Sequence, residues 1–200
     1  MHINIHIAIG IIFTSVLHYF FKFNLFEYVF IMILSFICDF DIFFSKIAKN
    51  HNHRLFITHS IIPSIALIIV GFILIIYFNN YVIFLGGLSY LFHILIDTFD
   101  WGTNVFYFPK KQTGFKLLVS NEENKNIQYY LSQYKLPESY FDAKYYENKF
   151  CMGIEIIIFF SMLIVVILFA FEYFFLISIY FLGLGFHLSR HYHLKKLERD

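Results

Sequence analysis

Residues 38–60 read CDFDIFFSKIAKNHNHRLFITHS and stand between two strongly apolar segments. The stretch carries two aspartates, three histidines and one arginine in a chain that is 59% hydrophobic and only 14% charged. Working outward from it, the flanking sequence falls into apolar runs at 3–21, 25–38, 61–78, 81–99, 152–171 and 173–188. Runs of about 20 residues are what the hydrocarbon core of a bilayer requires. The pattern predicts an all-α integral membrane protein with about six transmembrane helices, residues 1–200 forming a single membrane domain. The N-terminal run lacks a basic start and a small-residue cleavage site, so it reads as a retained first helix.

The distribution of charge orients this layout. With six helices, the N-terminus, loop 39–60, loop 100–150 and the C-terminal tail share one side, and those segments hold 14 of the 15 Lys and Arg; only Lys22 falls opposite. The positive-inside rule makes that side cytoplasmic. The location predicted is therefore the cell membrane, multi-pass, with both termini cytoplasmic. Cys38 and Cys151 fall near that side, where a structural disulfide is not expected. No basic stripe points to nucleic acid.

The polar stretch is the insert at 101–150, rich in Lys, Glu, Asn and Tyr. NVFYFP (104–109) and FKLLVS (115–120) flank KKQTG and suggest a β-hairpin. Residues 121–135 and 138–149 read as two short helices separated by Pro137, whose ring disfavours helix at Leu136.

The ionisable residues converge once the topology is drawn. His6 lies in the first turns of helix 1, Asp39 and Asp41 at the end of helix 2, His51, His53 and His59 before helix 3, and His93, Asp97 and Asp100 at the end of helix 4. His93 and Asp97 are four apart and stack on one helix face, with Asp100 three further on. Asp39 and Asp41 are two apart, so both reach one site only where the helix ends or unwinds. Carboxylates in apolar surroundings are costly unless paired, coordinated or protonated. A cation shared with neutral imidazoles removes that cost, and a mixed His/Asp set suits zinc, manganese or iron(II) better than calcium. Cys38 adjoins the aspartates and is either a buried thiol or a further ligand. His18 lies about 18 Å along the helix from His6 and reads as structural. His187, His191 and His193 sit in a basic tail suited to lipid head groups. Glu27 and Glu172 read as solvated.

ICDFD, HRLFITHS and HILIDTFDWG followed by FYFP resemble, in that order, the motifs of the YdjM-like family of membrane-bound metal-dependent hydrolases. The resemblance covers about residues 1–110. It implies that His6, Asp39, Asp41, His53, His59, His93 and Asp97 are metal ligands, with Arg54, Thr58, Ser60, Gly102 and Pro109 as further motif positions. Two departures are visible: Cys38 stands where the family has proline, and the His53-to-His59 gap is one residue longer, which leaves His51 and His53 as alternatives.

Seven or eight ligands exceed the need of one tetrahedral ion, so one or two divalent ions, zinc first, are expected. Arg54 offers a planar fork to a phosphate oxygen, Thr58 and Ser60 orient ligands, and Asp97 or Asp100 is the candidate general base. The expectation is a metal-dependent hydrolase at the cytoplasmic membrane interface, with membrane lipid as its partner and a phosphoester of a lipid or lipid-linked substrate as its target. A metal- or proton-coupled transporter and a non-catalytic metal-binding scaffold are the alternatives. The near-absence of polar residues in the middles of helices 3, 4 and 5, and of repeated halves, argues against the transporter.

Overall fold

The structure, a computed structural model, describes residues 2–47, 53–108 and 113–199; His51 and Pro109 lie outside them. Among the described residues, four helical stretches are long and apolar enough to cross a membrane: α1 (Ile3–Phe21), α3 (Ile61–Phe78), α8 (Lys149–Phe169) and Phe171–Arg199, in which a 3-10 turn runs into α9 (Ile177–Arg199). The expectation of about six transmembrane helices is thereby corrected. Helix α2 (Leu25–Ile33) has 9 residues and α4 (Val82–Asp97) has 16, which at 1.5 Å per residue gives about 14 and 24 Å, short of the ~30 Å core.

Local hydrogen bonding explains why both stop early. Helix α2 starts on a capping box between Asn24 and Glu27 and ends at Ile33; two residues on, the Ser35 hydroxyl is shared by the carbonyls of Met32 (2.7 Å) and His6 (2.9 Å). The Ser35 carbonyl accepts from His93 Nδ1 (2.8 Å) and is lost to the helix ladder. The chain tightens into i→i+3 bonds and continues as a 3-10 segment over Ile37–Ile47. No proline is needed for this break. It depends on a close approach of α1, because a Cβ on Gly10 would lie 2.0 Å from Ser35 Oγ.

Helix α4 ends where the Thr98, Phe99 and Asp100 carbonyls take the N–H groups of residues 115–118, at 2.7–3.3 Å. That pairing also corrects the expected β-hairpin. Residues 115–118 bond back to the end of α4, and among the described residues there is no β-strand, only an isolated bridge between Thr103 and Thr113. Gly114, at φ +135°, permits the turn; a Cβ there would meet the Thr98 carbonyl at 2.3 Å. The rest of the polar segment forms α5 (Asn121–Lys125), α6 (Ile127–Leu131) and α7 (Pro137–Glu147), the last begun by proline at its first turn with Leu136 extended.

Helix α1 is the hub, packed against α2, α8 and α9, while α3 packs on α4 and α2 bridges to α4. The core between them is apolar, with Ala8, Ile11, Ile31, Met32, Met162 and Val166 fully buried. The α3–α4 contact is close because Gly71 faces the Phe84 backbone and Gly87 faces Ile68, the small-residue packing that membrane helices use. The outer faces of α3 and α8 expose rows of Ile, Val and Phe. Such a surface belongs against lipid, and the protein is a multi-pass membrane protein.

Candidate metal centre

The start of α1, the break after α2, the turn before α3 and the end of α4 meet at one end of the helix array, and a buried cluster forms there. Asp39 and Asp41 both reach it because the 3-10 path puts them within range of the same imidazole. His59 occupies a 3-10 turn (Ile57–His59) directly before α3 and is fully buried. Its Nδ1 lies 2.9 Å from Asp41 Oδ2. A carboxylate only accepts, so Nδ1 carries the proton, and the ring in its neutral form presents the Nε2 lone pair to the cluster. His93 is held the same way by the Ser35 carbonyl.

The two Nε2 atoms face the same pair of carboxylates. His59 Nε2 lies 3.6 Å from Asp39 Oδ1 and 3.7 Å from Asp97 Oδ2; His93 Nε2 lies 3.6 and 3.5 Å from the same atoms. These separations are too long for good hydrogen bonds. They match the ~3.3–3.6 Å edge of a tetrahedron whose ligands stand about 2.0–2.2 Å from a zinc-like ion. His59 Nε2, His93 Nε2 and Asp39 Oδ2 are buried with no hydrogen-bond partner among the described residues. Orphaned buried acceptors are expensive, and a divalent cation held with Asp39 Oδ1 and Asp97 Oδ2 would satisfy both imidazole nitrogens, so the donor set fits a metal.

His6 stacks on His93 with ring centroids 3.8 Å apart and sets Nε2 at 3.2 Å from Asp97 Oδ1. Cys38, a free buried thiol, has a sulfur within reach of His59 and His93. Asp41 stands one layer out. It accepts from His59, from His53 Nδ1 at 2.8 Å, and from the Thr58 hydroxyl. Burial pushes the Asp41 carboxyl up, but those hydrogen bonds outweigh it and hold it below the ordinary carboxylate range. Asp41, His53 and His59 form a second group able to hold an ion.

The fork that the sequence offers to phosphate is already engaged. Arg54 grips Asp100 with two parallel bonds, Nη1–Oδ1 at 2.9 Å and Nη2–Oδ2 at 3.1 Å, and approaches Asp97 Oδ1 at 3.3 Å. Asp100 also accepts its neighbour's Trp101 N–H at 2.6 Å. Burial raises the Asp100 carboxyl, yet Arg54 beside it brings the pKa below the ordinary value. Arg54 in turn is held well above the usual guanidinium range, the two carboxylates overcoming its burial. Ser60 does not face the cluster: its hydroxyl contacts the Ile57 carbonyl (2.6 Å) and accepts from Ile62 N (3.3 Å), capping α3.

Several contributing residues carry no motif. Ser35 orients His93 through its carbonyl, Thr103 Oγ1 bonds the His59 carbonyl at 2.9 Å, and the Tyr90 hydroxyl bonds the Thr58 carbonyl at 2.5 Å. Only their position beside predicted site residues could have marked them. Away from the cluster, His18 pairs with Glu172 at 2.7 Å. His187 and His191 are not lipid-facing as their basic context suggests: His187 is buried against the Tyr146 hydroxyl (2.8 Å) and His191 bonds Asp142 (2.5 Å).

A family model described as YdjM inner membrane protein matches residues 1–174, a span that contains the whole cluster and ends before α9. No curated protein and no solved structure matches the chain.

Proposed function

The chain belongs to the YdjM inner membrane protein family, and on that premise we propose that it is a metal-dependent hydrolase working at the membrane interface on a phosphoester of a lipid or lipid-linked substrate. The observation that carries the reading is the pair of oriented imidazoles, His59 and His93, whose Nε2 atoms converge with Asp39 and Asp97 at 3.5–3.7 Å. In this proposal those four residues hold one divalent ion, zinc first, and His6 closes the cluster beside Asp97. An ion at Asp41, His53 and His59 would instead require His59 to give up the Nδ1 proton that it donates to Asp41.

A divalent ion bound there supplies Lewis acidity, activating water and polarising a phosphoryl oxygen. The chain's own groups do the rest. Asp41 and the Ser35 carbonyl hold the two rings in the productive tautomer. His53, whose Nδ1 is tied to Asp41, has a side chain 21% exposed, against 0% for the other imidazoles of the cluster. It is the group able to pass a proton between the site and water at its Nε2. Arg54 and Asp100, locked together, keep Asp97 in place and charge-balanced. The substrate follows from location: a centre at the end of the helix array receives a polar head group while acyl chains stay in the bilayer.

The test is hydrolysis by purified, metal-loaded protein of a panel of phosphoesters and lipid extracts, against an Asp97→Asn background. Product above that background is expected. Protein that binds metal yet yields no product on any substrate would show a non-catalytic metal site and end the hydrolase reading.

The site end is proposed to be cytoplasmic. His6 meets Asp97, and His2 packs on Tyr145 and His187, so the start of α1, the 98–148 segment and the end of α9 share one end. Arg54, Lys116, Lys125, Lys135, Lys144 and Arg190 lie in the segments at that end and Lys22 at the other end of α1, which supports the orientation. In intact cells a membrane-impermeant maleimide is expected to label Asn80→Cys and to reach Lys125→Cys only after permeabilisation. The reverse pattern would turn the molecule over.

A further inference from the structure

The segment that delivers Asp39 and Asp41 has a second face. A 3-10 helix has about three residues per turn, so Ile37, Phe40 and Phe43 fall on one edge of Ile37–Ile47, with Phe44 and Ile47 on the adjoining row. All five are exposed, Phe43 at 71% and Ile47 at 80%, while Phe36 and Cys38 point inward. Large apolar side chains left in water forgo the favourable free energy of burial, so a row of five demands an occupant.

We infer that this row is inserted among the acyl chains of one leaflet, so that residues 37–47 form a lipid-embedded rim of the cluster. Continuity with the lipid-facing surface argues for lipid over a protein partner. The segment packs against the 53–55 and 57–59 turns, and from there exposed Ile57 leads to Ile62, Ile65 and Ile69 on the outer face of α3. Phe106 and Phe108, exposed just after the Val105 carbonyl that binds Ile61 N at 2.9 Å, extend the same rim on its other side. The i→i+3 bonding of the segment keeps its backbone tolerable at the edge of a bilayer.

The consequence is one of depth. Apolar residues on one face and Asp39 and Asp41 on the other put the carboxylates at head-group level. The insertion itself does not depend on hydrolysis; the corollary that a lipid substrate enters laterally rests on the function proposed above.

Trp101 is the single tryptophan of the chain, so a Trp101→Phe background gives a clean reporter. Phe43→Trp, and Phe44→Trp as a second probe on the adjoining row, are reconstituted in phosphatidylcholine–phosphatidylglycerol vesicles. Blue-shifted emission is expected, quenched several-fold more by lipids brominated near the head-group end of the chain than by aqueous acrylamide. Tyr129→Trp, on an exposed position of α6, should show the opposite pattern. Acrylamide quenching equal to that control overturns the inference, and so does shielding from both quenchers, which would mean the row is covered by a second copy. If either reporter fails to fold, the other decides. Neither readout involves hydrolysis, so this inference and the proposed activity can fail separately.

Discussion

Replacing His59 by alanine is expected to abolish stoichiometric divalent-metal binding, and His93→Ala to do the same. Each removes an Nε2 lone pair that is buried and has no hydrogen-bond partner among the described residues. Asp41→Ala is expected to be milder, about 10–100-fold in affinity, because Asp41 only orients His59 through Nδ1 at 2.9 Å. Asp41→Asn should recover part of the loss, since an amide oxygen still accepts that N–H. Equilibrium dialysis with zinc and with manganese reads the series. Thermal stability gives an independent readout, because an ion that binds only the folded state raises stability by RT ln(1 + [L]/Kd); the wild type should gain with metal and His59→Ala should not. Equal affinity in the wild type and all four variants would remove the metal centre. An Asp41→Ala loss as deep as that of His59→Ala would make Asp41 a ligand in its own right and move the ion toward the Asp41–His53–His59 group.

How much of this was open to a reader of the sequence depends on what kind of interaction decides each feature. Membrane character needs only the density of apolar residues. The meeting of His93 with Asp97 needs only the helical period, and the requirement that the chain unwind at Asp39 and Asp41 follows from their spacing of two. Those are local properties. The lengths of α2 and α4 are not. Mostly apolar sequence continues beyond α2 to Cys38 and reaches Phe99 past Asp97, and the helical path is lost where the Ser35 carbonyl is claimed by His93 and the Thr98 carbonyl by Phe115. Both partners are distant in the chain, so counting apolar residues overstated the number of crossing helices. The hairpin failed for the same reason: β-propensity describes a fit to a pleated surface, and residues 115–118 found carbonyls at the end of α4 first.

The division of labour inside the cluster was also out of reach. Sequence offers seven ligand-type residues without saying which nitrogen of each imidazole points inward. That is settled by what holds Nδ1, a carboxylate for His59 and a backbone carbonyl for His93. Arg54 shows the limit most clearly. Its fork geometry suits phosphate or carboxylate equally, and only the fold reveals that Asp100 already occupies it. The motif residue Ser60 likewise turned out to cap α3, a role that any N-terminal serine can fill.

That engagement makes Arg54→Met the substitution with the largest expected cost in stability. The Arg54 side chain is 11% exposed and that of Asp100 0%, so removing the guanidinium leaves one carboxylate buried without its counter-charge and weakens the balance at Asp97. Breaking a buried pair from one side costs about 3–5 kcal/mol. Arg54→Met/Asp100→Asn should recover a large part, because the asparagine is uncharged and its oxygen still accepts the Trp101 N–H. The sign of the pH dependence follows from the lowered Asp100 pKa. Its contribution is present above the unfolded value of ~3.9 and is lost as pH falls through the lower folded value, so the advantage of wild type over the double variant narrows in acid. Arg54→Lys should not rescue, since an ammonium cannot make the two parallel bonds. Metal affinity separates support from simple stability. If Arg54 positions Asp97, the double variant regains stability while its affinity stays reduced, because the 3.3 Å contact to Asp97 Oδ1 is still missing. Recovery of both together would leave Arg54 with a structural role only, and a single variant as stable as wild type would break the argument at its first step.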